Sequence, residues 1–259
     1  MKQRIITAVI ALLALFLVLF VVPKQVAMLV IVAVILAGAW EWSAFLELTG
    51  SIARIVYVVV IGALLAGVSF MGVDAQLILK VAMVWWLIAL IWTFFFPTPV
   101  PAVVRWFAGA AVLVPLFLAL IILYDAAPAI LLFALLIVWV ADSGAFFAGK
   151  MLGRVKLAPK ISPGKTWEGV IGGLVAVVLL TLLLSVWVET DLAVLVPFCL
   201  AVACLSIVGD LTVSMFKRTA GVKDSGNVFP GHGGVLDRID SVAAAAPLFA
   251  LGVSSVGLQ

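Results

Sequence analysis

GDLTVSMFKRTAGVKDSGNVFPGHGGVLDRIDS, residues 209–241, is the longest polar stretch in an otherwise apolar chain. It holds Asp210, Lys217, Arg218, Lys223, Asp224, His232, Asp237, Arg238 and Asp240 among small residues and glycines. Apolar runs of membrane-spanning length lie on both sides. Charge held that close to lipid is expensive, so an ionisable cluster there is by default a working site.

Working outward, the whole chain reads as a membrane protein. Of its 259 residues 67% are hydrophobic and only 10% charged, with a mean hydropathy of +1.41. A soluble domain could not cover so much apolar surface with so little charge. An α-helix needs roughly 20 apolar residues to cross the hydrocarbon core. Counting at that length predicts about nine spans, at 5–22, 26–45, 52–71, 76–96, 102–123, 128–148, 167–188, 192–208 and 241–256. The fold class is thus all-α, a polytopic transmembrane bundle with polar loops on one side. Residues 1–125 supply the N-terminal helices and 126–259 the catalytic region of a single membrane-embedded unit.

Placing the N-terminus in the cytoplasm and alternating the spans sorts the basic residues. Lys2, Arg4, Arg54, Arg105, Lys150, Arg154, Lys156, Lys160, Lys165, Lys217, Arg218, Lys223 and Arg238 then lie inside, and only Lys24 and Lys80 outside. This is a strong positive-inside bias. It predicts cytoplasmic polar loops and an external C-terminus, with Asp74, Asp125, Glu189 and Asp191 in the external turns. The net charge of +3 is therefore a membrane signal rather than a nucleic-acid footprint. Cys199 and Cys204 have no CxxC spacing and no neighbouring histidine, so they give no metal or redox signal. Glu41 is the exceptional charge in the first five spans; lying near a helix end, it is expected to reach the headgroups.

A second polar constellation precedes the first. Asp142 stands about two turns before the basic loop, and Ser162-Pro163-Gly164-Lys165-Thr166 comes just before a predicted helix start. A helix N-terminus offers free N–H groups and a favourable dipole to phosphate. A plain capping turn is the simpler alternative. The triplet Gly164-Lys165-Thr166 is not the end of a Walker A loop: position 159 is proline where that motif needs glycine, and no strand is expected before it.

In the 209–241 stretch, continued helix past Val208 would put Asp210, Ser214 and Lys217 (i, i+4, i+7) on one face. The glycines that follow let backbone approach a ligand closely. Asp237 and Asp240 open the last helix with Arg238 between them. Carboxylates alone would suit a cation, and cations alone an anionic lipid. Together they suit a metal–phosphate site, since Mg²⁺ is typically held by one or two carboxylates plus substrate phosphates. Asp210 and Asp237 are the natural metal ligands. His232, the only histidine, has no spacing that assigns it a role and can simply cap a turn.

These residues carry a resemblance. The pattern S-x-x-K-R-x4-K-D-x-G, running from Ser214 to Gly226, is followed by P-G-H-G-G-x-x-D-R-x-D from Pro230 to Asp240. Together they closely resemble the signature of phosphatidate cytidylyltransferases (CDP-diacylglycerol synthases). The upstream segments D-S-G-A-F-F-A-G-K and S-P-G-K-T-W-E-G resemble that family too, with Phe146 where tyrosine is commoner. The motifs cover the C-terminal half; the N-terminal half resembles the family only in its apolar character.

The resemblance implies an Mg²⁺-dependent membrane enzyme of phospholipid biosynthesis that joins CTP and phosphatidate into CDP-diacylglycerol and pyrophosphate. By matching positions, Asp210 and Asp237 would hold the metal, with a second metal ion left open. Ser214, Lys217 and Arg218 would contact phosphates, with Asp210, Asp237, Lys217 and Arg218 as the catalytic set. Asp142, Ser162, Lys165 and Thr166 would line the nucleotide or lipid-phosphate pocket, and Lys223, Asp224, His232, Arg238 and Asp240 would complete the substrate site. The expected location is a bacterial cytoplasmic (inner) membrane, with no nucleic-acid partner and a homodimer left open. Rival readings fare less well. A transporter would show related halves and midplane charge. A CDP-alcohol phosphotransferase would need D-G-x2-A-R, which is absent. A CTP-dependent polyprenol kinase is the nearer alternative.

Overall fold

The computed structural model describes residues 2–48, 50–187, 190–228 and 233–258; Glu189 and His232 lie outside the described residues. Each of the nine apolar runs corresponds to a helix: α1 (Lys2–Phe20), α2 (Lys24–Trp42), α3 (Ser51–Phe70), α4 (Ala75–Phe95), α5 (Ala102–Ala126), α6 (Pro128–Leu152), α7 (Trp167–Leu184), α8 (Leu192–Thr219) and α9 (Leu236–Gly252). Seven of them, α2 to α8, are long and apolar enough to cross a membrane. The chain is therefore an integral membrane protein.

α1 is apolar in sequence from Ile5 to Phe20 apart from Thr7, whereas α9, at 17 residues, is shorter than the others. In α9 the first turn holds Asp237, Arg238 and Asp240, and alanines follow where other helices carry leucine. Small residues suit a helix wrapped by other helices rather than by lipid. Accordingly α9 packs on α8, α5, α4, α6 and α2, and its Ala243–Ala246 face is buried. At Gly209 in α8, a Cβ would meet the Asp240 carbonyl and the Ala244 methyl, so glycine is what lets α8 lie flat on α9.

The last two helices differ from their expected bounds. α8 does not stop at Val208 but runs to Thr219, and α9 begins at Leu236 instead of 241. Lys217 and Arg218 in the last turn of α8 suit the negative end of its dipole. One element was not expected at all. Lys156–Ala158 (β1) and Ser162–Thr166 (β2) form a two-stranded antiparallel hairpin between α6 and α7. The Gly164-Lys165-Thr166 triplet lies within β2 itself, and the Thr166 hydroxyl caps α7 by accepting from Gly169 N at 3.1 Å.

α6 and α7 make the closest helix pair. A Cβ at Gly144, Gly172 or Gly173 would run into the opposing helix. A 25-residue helix such as α6 is about 37 Å long, so its ends mark two separate faces of the bundle. Beside its N-terminus, Lys24 and Asp125 pair at 2.9 Å and tie the α1–α2 turn to the α5–α6 turn. Beside its C-terminus lie the hairpin, the end of α8 and the start of α9. On that face Arg105 donates to Phe45 O and to Glu47 Oε1, both at 2.8 Å, and the guanidinium holds the Glu47 carboxyl below its ordinary value.

Candidate active site

Two half-sites meet at the C-terminal ends of α6 and α8. The first is a cleft of about 420 Å³ between α6, α7, β2 and α8. Its polar lip holds Asp142, Lys150, Ser162, Lys165 and Asp210; its walls are Ala145, Phe146, Val170, Leu174 and Ile207. Continuous helix through α8 brings Asp210, Ser214 and Lys217 to one face. The Ser214 hydroxyl donates to Asp210 Oδ1 at 3.0 Å. Across the cleft, Lys165 Nζ reaches Asp210 Oδ2 at 2.7 Å, and both side chains stay about a quarter exposed, at 25% and 26%. Asp142 lines the same cleft as Lys165 and Asp210, from α6.

The second half-site is closed. Lys217 Nζ donates to Asp237 Oδ1 at 2.8 Å and lies 3.5 Å from Asp240 Oδ2, all three side chains being 8–10% exposed. Asp237 Oδ2 accepts from Ser225 N and Gly234 N, each at 2.9 Å. Asp240 Oδ1 takes Ser241 N at 2.8 Å. A buried ammonium is tolerated only where carboxylates surround it, and Asp210 adds its field to those of Asp237 and Asp240.

The remaining expected residues scatter around this core. Arg218 makes its hydrogen bonds with protein: its Nε donates to Ile161 O at 3.1 Å and its Nη1 to Val222 O at 3.4 Å. It thereby ties the hairpin to the end of α8. Lys223, Asp224 and Arg238 are exposed on the same face. Thr166 is buried under the cleft as the α7 cap. Ser162 and Lys165 face the cleft from β2.

Glu41 requires a correction. It does not reach the headgroups; it is 4% exposed and turned into the protein. Its carboxylate accepts from Ser225 Oγ (2.8 Å), Val235 N (2.9 Å) and Leu236 N (2.7 Å). The reason is that α9 has no side-chain cap of its own, and free N–H groups at a buried helix start must find an acceptor. Sequence reasoning also passed over Lys150, Ser241 and Glu168. Glu168 accepts from Arg154 N and Val155 N and fastens the base of the hairpin. For Glu41 a signal existed, since a carboxylate between two tryptophans in an apolar span is by default functional.

Among the described residues no three carboxylate, histidine or cysteine side chains come together as a ready-made metal site, and Asp210 and Asp237 are instead paired with Lys165 and Lys217. Asp142, Asp210, Asp237 and Asp240 outnumber the ammonium groups of Lys165 and Lys217, and Lys217 lies in the field of three of these carboxylates.

The chain is similar to known proteins. The cytidylyltransferase family model matches residues 2–256, so the likeness runs through the N-terminal half as well as the motif-bearing one. The phosphatidate cytidylyltransferase of Pseudomonas aeruginosa is 40% identical over 259 residues, covering 96% of each chain. That of Haemophilus influenzae is 36% identical over 281 residues, covering 96% of this chain and 97% of its own. That of Staphylococcus aureus is 48% identical over 120 residues, 46% of each. On these matches the chain belongs to the cytidylyltransferase family and is a nucleotidyltransferase.

Proposed function

We propose that this enzyme transfers CMP from CTP to phosphatidate, giving CDP-diacylglycerol and pyrophosphate in phospholipid biosynthesis. The cleft carries this reading: two lysines, a serine and two aspartates form its lip, and apolar walls descend from it between membrane helices. A nucleotide needs the first feature and a lipid the second. A phosphate oxygen of phosphatidate attacks the α-phosphorus of CTP. The new P–O bond forms as the bond to the β-phosphate oxygen breaks, and pyrophosphate leaves with that electron pair.

The attacking phosphate is already an anion, so positioning and charge neutralisation do most of the work. Lys165, paired among the described residues to Asp210 and partly exposed, can exchange that partner for a phosphate oxygen. Lys217, held by Asp237 and Asp240, adds fixed positive charge below it. Asp210 and Asp237 would hold Mg²⁺, which would neutralise charge on the polyphosphate. The basic residues on this face, Lys150, Arg154, Lys156 and Lys160 among them, favour a cytoplasmic orientation with the N-terminus inside and the C-terminus outside, in a bacterial inner membrane.

The test is to incubate purified protein with CTP labelled in the α-phosphate and with phosphatidate, in Mg²⁺ or in EDTA. A labelled CDP-lipid formed only in Mg²⁺ is the expected outcome. No labelled lipid from well-folded protein in either condition would overturn the assignment.

A further inference from the structure

Among the helices that begin with a side-chain cap, the capping acceptor is local: Asp74 for α4, Thr166 for α7 and Asp191 for α8. α9, the helix that carries Asp237 and Asp240, is capped from another helix, by Glu41 of α2. Glu41 and Asp237 divide the same two pieces of backbone between them. Ser225 gives its hydroxyl to Glu41 and its N–H to Asp237. Gly234 N goes to Asp237, while the next two N–H groups, of Val235 and Leu236, go to Glu41. The packing leaves no slack, because a Cβ at Gly226 or Gly234 would collide with the Glu41 carboxylate.

From this geometry we infer that Glu41 is a positioning residue for nucleotidyl transfer: it fixes the start of α9 so that Asp237 and Asp240 hold Lys217 beneath the substrate phosphates. The inference rests on the cytidylyltransferase reading above. Glu41 touches none of the reacting atoms; it acts through Ser225, the backbone of Val235 and Leu236, and then Asp237. Its three donors cannot be satisfied equally by a carboxamide, whose NH₂ group would face an N–H or O–H.

The experiment compares purified wild type with Glu41→Gln, Glu41→Ala, Gly234→Ala and the double variant Glu41→Ala/Gly234→Ala. CDP-diacylglycerol formation is measured per mole of protein that remains folded in detergent. In Glu41→Gln, kcat is expected to fall about 10- to 100-fold, the range seen when a supporting hydrogen bond behind a site is lost. KM for CTP should change by less than about threefold, since the open cleft is untouched. Gly234→Ala should damage kcat in the wild-type background and add little in the Glu41→Ala background, where the colliding carboxylate is gone. Full kcat in Glu41→Gln, or additive losses in the double variant, would overturn the positioning role. An inactive wild type would instead remove the reading on which the role depends, so the two failures are distinguishable.

Discussion

The two half-sites use the same residue types, lysine and aspartate, in opposite states. On the cleft side, Lys165 and Asp210 share one contact and remain about a quarter exposed. On the α8–α9 side, Lys217 serves two aspartates, and Asp237 is further held by two backbone N–H groups, all at 10% exposure or less. An ion pair that is open to water is weak and can change partners at little cost. One that is buried is costly to break. The cleft side is therefore suited to taking and releasing substrate phosphate. The buried side is suited to holding a fixed field beneath it, and Glu41 and α2 brace it from behind.

Breaking the closed half should have the largest effect. Lys217→Met leaves Asp237 and Asp240 buried without their cation, and loss of a buried partner costs about 3–5 kcal/mol. Thermal unfolding in detergent should show that loss together with near-complete loss of CDP-lipid formation. Retention of both stability and turnover would erase the distinction between the halves. A smaller effect is expected on the open side. Thr166→Val keeps the shape beneath the cleft but removes the α7 cap, a loss of about 1 kcal/mol. Unfolding should register it, with turnover reduced only modestly; a collapse of activity would mean that the Thr166 hydroxyl contacts substrate.

The open half was the more legible one in the sequence. Asp210 and Ser214 follow helical spacing, as does Lys217 one turn on in the closed half, so their common face is readable once α8 is taken to continue. Lys165 and Thr166 were placed near a helix start by the turn that precedes α7. The hairpin itself was hidden, because Ser162-Pro163-Gly164 reads as a turn and only pairing with Lys156–Ala158 makes it a strand. The closed half depends on contacts with no local signature. Lys217 and Asp237 are 20 positions apart, and Glu41 lies 184 to 195 positions from its partners. Spacing rules do not reach that far. Glu41 was misjudged for this reason: near a helix end in a greasy span, a carboxylate and a headgroup anchor look alike until the uncapped start of α9 is seen beside it. Arg218 carries a further role that its spacing does not show: its hydrogen bonds to the Ile161 and Val222 carbonyls tie the hairpin to α8.

The central claim of the proposed function is that Asp210, in the open half, would hold the Mg²⁺ that neutralises the reacting phosphates while belonging little to the framework. It is tested most directly by measuring the Mg²⁺ dependence of CDP-diacylglycerol formation in Asp210→Asn beside its unfolding temperature. Turnover is expected to drop about 10²- to 10³-fold, the scale of losing one charge-stabilising group. Raised Mg²⁺ should not restore it fully, and the unfolding temperature should stay near that of the wild type. Near-normal turnover, or unfolding as early as in Lys217→Met, would contradict the account.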